Sequence, residues 1–319
     1  MRRSARIGRP CWISGWSLVV FVWLIFATRT LHSAQLADRY VSLDPITGDL
    51  RVPFKSDGVD HSFLVALPNH VIPQVSVSVE HRDNSYVYIY NIRNAPTARQ
   101  PINQWYAIVD SSIRISAVGE PPPWFHEPIG MTSTNPNAST FVSTYVSTGA
   151  LLLRWALKYG FVADRSSGVI FPGGSQNQFS ITCDGRPGFI TVFLRSFVDR
   201  FLDDPLYSLP LPRDVSDEAL RYINSIEKSS VVRTVVGPAF APSLTRAQIG
   251  ASLLKQTQQL INKGGLSSGS GFVQDAIAFL KRLSTGEAVV KESVFSHSPE
   301  SATEKDLAMV IQEDVSISR

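Results

Sequence analysis

Ser85-Tyr-Val-Tyr-Ile-Tyr-Asn-Ile-Arg-Asn94, followed after a short polar stretch by Gln104-Trp-Tyr-Ala-Ile-Val109, is the part of the chain whose reading decides the fold. Tyr86, Tyr88, Tyr90 and Ile92 alternate with Val87, Ile89, Asn91 and Arg93. A strict period of two, carried by β-branched and aromatic residues, is the pattern of a half-buried strand. Asn94-Ala-Pro96 stops it, because proline lacks the amide that a ladder needs. Gln104–Val109 reads as a further strand. A tyrosine ladder of this kind predicts an inner strand of a β-sandwich, with Tyr88 and Tyr90 facing the core.

The pattern extends in both directions. Upstream, Tyr40–Val52 reads as two short strands about the turn Asp44-Pro-Ile-Thr-Gly48, and His61–Leu67 as another, ended by Pro68-Asn69. Val75, Val77 and Val79 alternate through Gln74–His81, and Arg82-Asp-Asn-Ser85 joins that run to the tyrosine strand as a hairpin. Downstream, Ser111–Val118 reads as a strand. Gly119-Glu-Pro-Pro-Pro-Trp-Phe-His-Glu-Pro128 then carries four prolines in ten residues, which excludes helix and central strand and predicts an exposed loop. Thr132–Ser147 reads as a loop that turns into a strand at Phe141–Val146.

In Ala150–Val162, Leu151, Leu153, Trp155, Leu157, Tyr159 and Phe161 share one face opposite Arg154 and Lys158, so periodicity favours a strand over a helix. The turn Pro172-Gly-Gly174, the strand Gln178–Cys183, the turn Asp184–Gly188 and the strand Phe189–Arg195 complete the β-rich part.

After Asp203 the character changes. Ser216-Asp-Glu218 predicts a helix start before Leu220, Ile223 and Ile226. Ser230–Val236 predicts a short strand ended by Gly237-Pro238. Thr245-Arg-Ala-Gln248 is a capping box ahead of the stripe Ile249, Leu253, Leu260 and Ile261. Gly264-Gly265 ends that helix, and Phe272, Val273, Ala276, Ile277, Leu280 and Leu283 mark a second. A third runs from about Pro299 to Glu313 with Ser298 as its cap. The expected fold is an antiparallel β-sandwich, immunoglobulin-like or jelly-roll, followed by a small α-helical segment. The expected divisions are a leader over residues 1–34, a sandwich over 35–203, a connecting helix and strand over 204–242, and a helical segment over 243–319.

The leader sets the expected address. Arg2, Arg3, Arg6 and Arg9 precede the unbroken apolar run Leu18–Ala27, and a polar stretch to Ala34 follows. This is the layout of a secretory signal, and the run is short for a spanning helix, which needs about 20 residues. His32 stands where a cleavage site wants a small residue. Uncleaved, residues 11–27 would anchor the chain, and that segment would be its membrane contact. The expectation is an exported protein, periplasmic or extracellular. The leader holds five of the 30 basic residues and none of the 27 acidic ones, leaving 25 against 27, a formal charge of −2. A nucleic-acid partner, which needs a clustered basic face, is therefore not expected. Past the leader, Cys183 stands alone, so it reads as a small buried hydrophobe rather than half of an internal disulfide.

Chemical motifs are sparse. Gly265-Leu-Ser-Ser-Gly269 matches the G-x-S-x-G string of a nucleophile elbow, but an elbow needs a strand before it, and here a helix precedes. His61, His70, His81, His126 and His297 lack metal-site spacing, so no metal or cofactor is implied. Asp203-Asp204 beside Pro205 reads as a turn. Glu120 and Glu127 flank the proline loop, where two acids could converge. Asn137-Ala-Ser139 is a glycosylation string, which matters only in a glycosylating pathway.

Trp124, Phe125, His126 and Glu127 remain as the candidate ligand-binding residues. Adjacent aromatics on a stiff loop can take up a sugar face or an apolar partner at little entropic cost. Against this stands the ordinary reading, a tryptophan folding back over the sandwich end. The order of tyrosine strand, proline–tryptophan loop, Phe171-Pro-Gly-Gly174 turn, Pro187-Gly188 strand and Val236-Gly-Pro238 before a helical tail resembles exported bacterial proteins of unknown function. That resemblance implies a class and no active site. The expected function is a non-catalytic interaction or structural module whose partner is an envelope protein or an extracellular polysaccharide. The alternatives are a carbohydrate-binding module using the Trp124 loop and a hydrolase assembled from distant loops.

Overall fold

The structure is a computed structural model that describes residues 40–129, 150–157, 168–196, 211–226, 228–287 and 295–316. The chain forms two compact units, Met1–Val65 with Pro205–Tyr222 and Ala66–Asp204 with Ile223–Arg319. The span 35–203 is thus divided, and its first strands belong to the smaller unit. The leader, the Thr132–Ser147 stretch, Asn137, Asp203 and Asp204 lie outside the described residues.

The first unit contains β1 (Ser42–Leu43), β2 (Leu50–Ser56) and β3 (Val59–Val65) in an antiparallel sheet of that order. The turn expected at Asp44 forms as the side chain dictates. Its carboxylate accepts from the amides of Ile46 at 3.0 Å and Thr47 at 2.9 Å and from the Thr47 hydroxyl at 3.2 Å. A second hairpin, β2 to β3, turns on Asp57-Gly58 with φ of 54° and 78°. Both values are left-handed, as a two-residue primed turn requires, and Asp-Gly is a preferred pair for it. Helix α1 (Arg213–Asn224) starts three residues before Ser216, so Ser216 is an interior residue and not the cap. Val41, Leu50, Val52, Val65, Val215 and Ala219 are buried in this unit.

Among the described residues the second unit holds nine strands: β4 (Pro73–Arg82), β5 (Ser85–Asn94), β6 (Gln104–Asp110), β7 (Ile115–Gly119), β8 (Trp124–Ile129), β9 (Ala150–Leu157), β10 (Ser175–Cys183), β11 (Arg186–Arg195) and β12 (Val231–Phe240). They make two sheets, β4-β5-β10-β7 and β12-β11-β6-β9-β8, with every pairing antiparallel. Without β8 and β9, the seven strands in chain order follow the immunoglobulin arrangement, first-second-fifth-fourth on one sheet and seventh-sixth-third on the other. The pair β8–β9, inserted between the fourth and fifth strands, widens the second sheet beside β6. This order settles the choice between immunoglobulin-like and jelly-roll in favour of the former.

The tyrosine face is the core face. Tyr86, Tyr88, Tyr90 and Ile92 are buried, while Asn91 and Arg93 are exposed. Between the sheets Trp105 of β6 stacks on Trp155 of β9, with ring centroids 4.0 Å apart and planes 7° from parallel. Tyr90 and Phe179 pack on Trp105 at 5.3 and 5.4 Å. Stacked and edge-on aromatic pairs add about 0.5–1.5 kcal/mol each beyond their burial. Strand β9 is covered on both sides: Leu153 and Trp155 join the main core, and Leu152 packs with Tyr106, Phe193 and Ile226 on the far face of the sheet. The connection from β10 to β11 crosses between the sheets at Asp184-Gly185, and the Tyr88 hydroxyl donates to the Gly185 carbonyl there at 2.8 Å.

Two proline-containing stretches differ from expectation in the same way. Trp124–Ile129 is strand β8, and Gly237-Pro238 lies inside β12 rather than ending it. Each is an edge strand, where a missing amide breaks no ladder if it faces outward.

Helices α2 (Arg246–Asn262) and α3 (Gly271–Ser284) form the expected hairpin. Thr245 and Gln248 make the capping box. Helix α4 (Ala302–Ser316) begins later than expected, because Ser301 and Glu304 cap it: the Glu304 amide donates to Ser301 Oγ at 3.1 Å and the Ser301 amide to the Glu304 carboxylate at 3.0 Å. The apolar faces of all three helices join the buried cluster of the sandwich. One tie is polar. Strand β6 pairs with β11 only from Val192 onward, which leaves the Phe189 backbone open on that side. The Gln256 side chain of α2 fills the gap, accepting from Phe189 N at 3.0 Å and donating to Phe189 O at 3.1 Å.

Candidate functional site

The proline loop is held shut. Trp124 is 2% exposed, its ring edge-on to Phe179 at 5.0 Å, and its indole N–H donates to the Gly168 carbonyl at 2.9 Å. Gly168 has φ +85°, and a Cβ there would come within 2.4 Å of Pro123. The expectation that this loop is exposed and holds an aromatic ring in solvent is corrected at Trp124: the Phe179 ring beside it and the Gly168 carbonyl at its N–H hold the indole in the core.

The residues after Trp124 alternate across β8. Phe125 is half-buried. His126 donates its backbone amide to the Glu120 carboxylate at 2.6 Å, and its Nδ1 meets the same oxygen at 2.6 Å. Glu127 pairs with Arg154 of β9 at 2.9 Å. Glu120 and Glu127 thus serve separate partners and do not converge as an acid pair. With Trp124 withdrawn, a sugar face would find Phe125 as the aromatic surface among these four residues.

Ser267 lies in the connection between α2 and α3, where its Oγ accepts from the Gly269 amide at 3.3 Å. A helix precedes it, so the strained strand-to-helix geometry of a nucleophile elbow is not built. Cys183 is fully buried, and burial pushes its thiol up to about 12, so it is not a thiolate nucleophile. Among the described residues, no three His, Cys, Asp or Glu side chains gather as a metal site. His61 stacks on Phe54, the His81 ring lies tilted by 35° against Tyr86, and His297 Nδ1 contacts the Asp275 carboxylate at 3.0 Å.

The feature that stands out lies elsewhere, on the open edge of β4. In a two-residue hairpin the flanking pair exchanges both ladder bonds. Here that pair is Arg82 and Ser85, so the even-numbered residues of β4 bond to β5. The amides and carbonyls of Val75, Val77, Val79 and His81 then point away from the sheet. Pro73, of the same parity, confirms the direction, since its carbonyl accepts from Arg233 Nε at 3.2 Å on that side. Among the described residues the outward groups from Val75 to His81 have no backbone partner. Their side chains face the core yet stay half-buried at Val75, Val77 and Val79.

The other edges of these two sheets are guarded. Strand β7 has five residues, β8 contains His126, Glu127 and Pro128, and β12 contains Arg233 and Pro238. Short length, charge and proline are the usual protections of an edge. In β4, Pro73, Glu80 and Arg82 lie at the two ends, and the run Gln74-Val-Ser-Val-Ser-Val79 between them carries neither charge nor proline. The uncharged Val/Ser alternation was a sequence signal for this, but nothing local says that the strand is an edge.

No family model and no curated protein matches the chain. Among solved structures, it is similar to an uncharacterised protein from Nocardia farcinica described as having an immunoglobulin-like fold, at 10% identity and a TM-score of 0.25, over 38% of this chain and 75% of that one.

Proposed function

We propose that the chain is a non-catalytic interaction module, exported to the periplasm or cell exterior, that holds a partner by adding a strand to the edge of β4. The observation that carries this reading is the run Gln74–Val79, an open edge with outward backbone groups, half-exposed valines and no charge or proline. Strand addition draws affinity from main-chain hydrogen bonds and selectivity from alternate side chains. The basic head and apolar run of the leader support export.

The test is an anisotropy titration of a labelled extended peptide with the sequence of residues 73–82. Saturable binding is expected for the parent chain, together with its loss in Val77→Pro, which removes an outward amide without touching the β4–β5 ladder. A melting curve checks that the variant is folded. No saturable binding to a parent that is monomeric at the concentration used overturns the reading.

A further inference from the structure

We infer that the strand added to β4 is the β4 of a second copy of this chain, antiparallel across a two-fold axis at Ser78. This inference rests on the strand-addition reading above and names its occupant. Two-fold pairs are the commonest assemblies, and they ask that one surface complement itself. Strand β4 does so in three respects.

The first is hydrogen bonding. Antiparallel pairing about Ser78 sets Val77 opposite Val79 and Val75 opposite His81. Those are the residues whose amides and carbonyls point outward, so each outward donor meets an outward acceptor. The second is facing. The register keeps odd residues against odd, so Val77 lies beside Val79 on the core side and Ser78 beside Ser78 on the solvent side. The half-buried Val75, Val77 and Val79 of each copy gain cover from the other. The third is charge. Glu80 and Arg82 lie at one end of the strand and the neutral Gln74 and Ser76 at the other. The two-fold sends the charged ends apart, with Glu80 opposite Ser76 and Arg82 opposite Gln74, so like charges do not face one another. Pairing stops at Pro73, which has no amide and whose carbonyl already serves Arg233. The two four-stranded sheets then become one sheet that runs across both copies.

The experiment uses the full chain with Cys11→Ser, so that the buried Cys183 is the one native thiol left. Ser78→Cys puts a thiol on the axis in a non-hydrogen-bonded pair, where the two Cα atoms stand about 4.5 Å apart, within disulfide range. Ser76→Cys puts it four residues from its counterpart, roughly 13 Å away and out of range. Under mild oxidation Ser78→Cys is expected to yield a disulfide dimer, and Ser76→Cys about tenfold less. Sedimentation of the parent is expected to show a reversible monomer–dimer shift with concentration. A parent that stays monomeric, or equal cross-linking at positions 76 and 78, overturns the inference. If the parent stays monomeric but still binds the 73–82 peptide, the second copy fails as occupant and the strand-addition reading stands. If it binds no peptide either, both fail.

Discussion

The indole of Trp124 plugs one end of the sandwich, and its position is fixed by groups far away in sequence: Phe179 beside the ring and the Gly168 carbonyl at its N–H. Trp124→Ala is expected to cost about 3–5 kcal/mol, the usual range for deleting a buried aromatic, as read from a urea midpoint. A loss under about 1 kcal/mol would mean that the ring is solvent-exposed in solution. Asp44 shows a different kind of control. The Thr47 amide above all, then Arg51, then the Ile46 amide and Thr47 hydroxyl, hold its carboxyl down to about 2. Because the folded value lies below that of an unfolded aspartate, about 3.9, the stability it contributes is complete above that pH and is lost as pH falls toward 2. The protection of the Thr47 amide, its exchange rate relative to that of an unstructured peptide at the same pH, is expected to fall across that window in the parent. In Asp44→Asn the pH-dependent part should disappear, and a window that persists in the variant would assign it to another group. The residue types at both places were plain in the sequence. The direction of the Trp124 ring was not, because it depends on a carbonyl 44 residues downstream.

At the scale of elements, alternation carried the strands well. β4, β5, β6, β9, β10 and β11 all begin within a few residues of the places the period of two indicates. Strand neighbours were another matter. β5 pairs with β10 about 90 residues on, and β11 with β12 across a helix, so edge status is a property of the assembled sheet and not of any window of sequence. That is why Pro128 and Pro238 read as strand breakers yet sit in strands. It is also why the Gln256 side chain, on the face of a helix, could not be recognised as the partner of an open strand backbone. Replacing it removes two hydrogen bonds from Phe189 at once. Gln256→Leu keeps bulk and helix propensity but leaves the Phe189 N–H and C=O unpaired, so a loss of about 1–3 kcal/mol is expected in chemical denaturation. A neutral result would mean that water satisfies the strand there.

For the molecule as a whole, the leader predicts that the folded units stand outside the cytoplasm. A reporter active only after translocation, fused after Ala34, is expected to be active, and retention in the cytoplasm would contradict export. The arrangement of aromatic side chains also has an optical consequence. Of the six tryptophans, Trp12, Trp16 and Trp23 belong to the leader, and Trp105, Trp124 and Trp155 all lie in the sandwich core. In a chain that starts at Gln35, intrinsic tryptophan emission reports on the larger unit alone. The small sheet of β1, β2 and β3 could melt without a change in that signal. Emission and far-ultraviolet circular dichroism recorded on one sample would therefore act as two channels, and any gap between their midpoints would measure how far the smaller unit unfolds on its own.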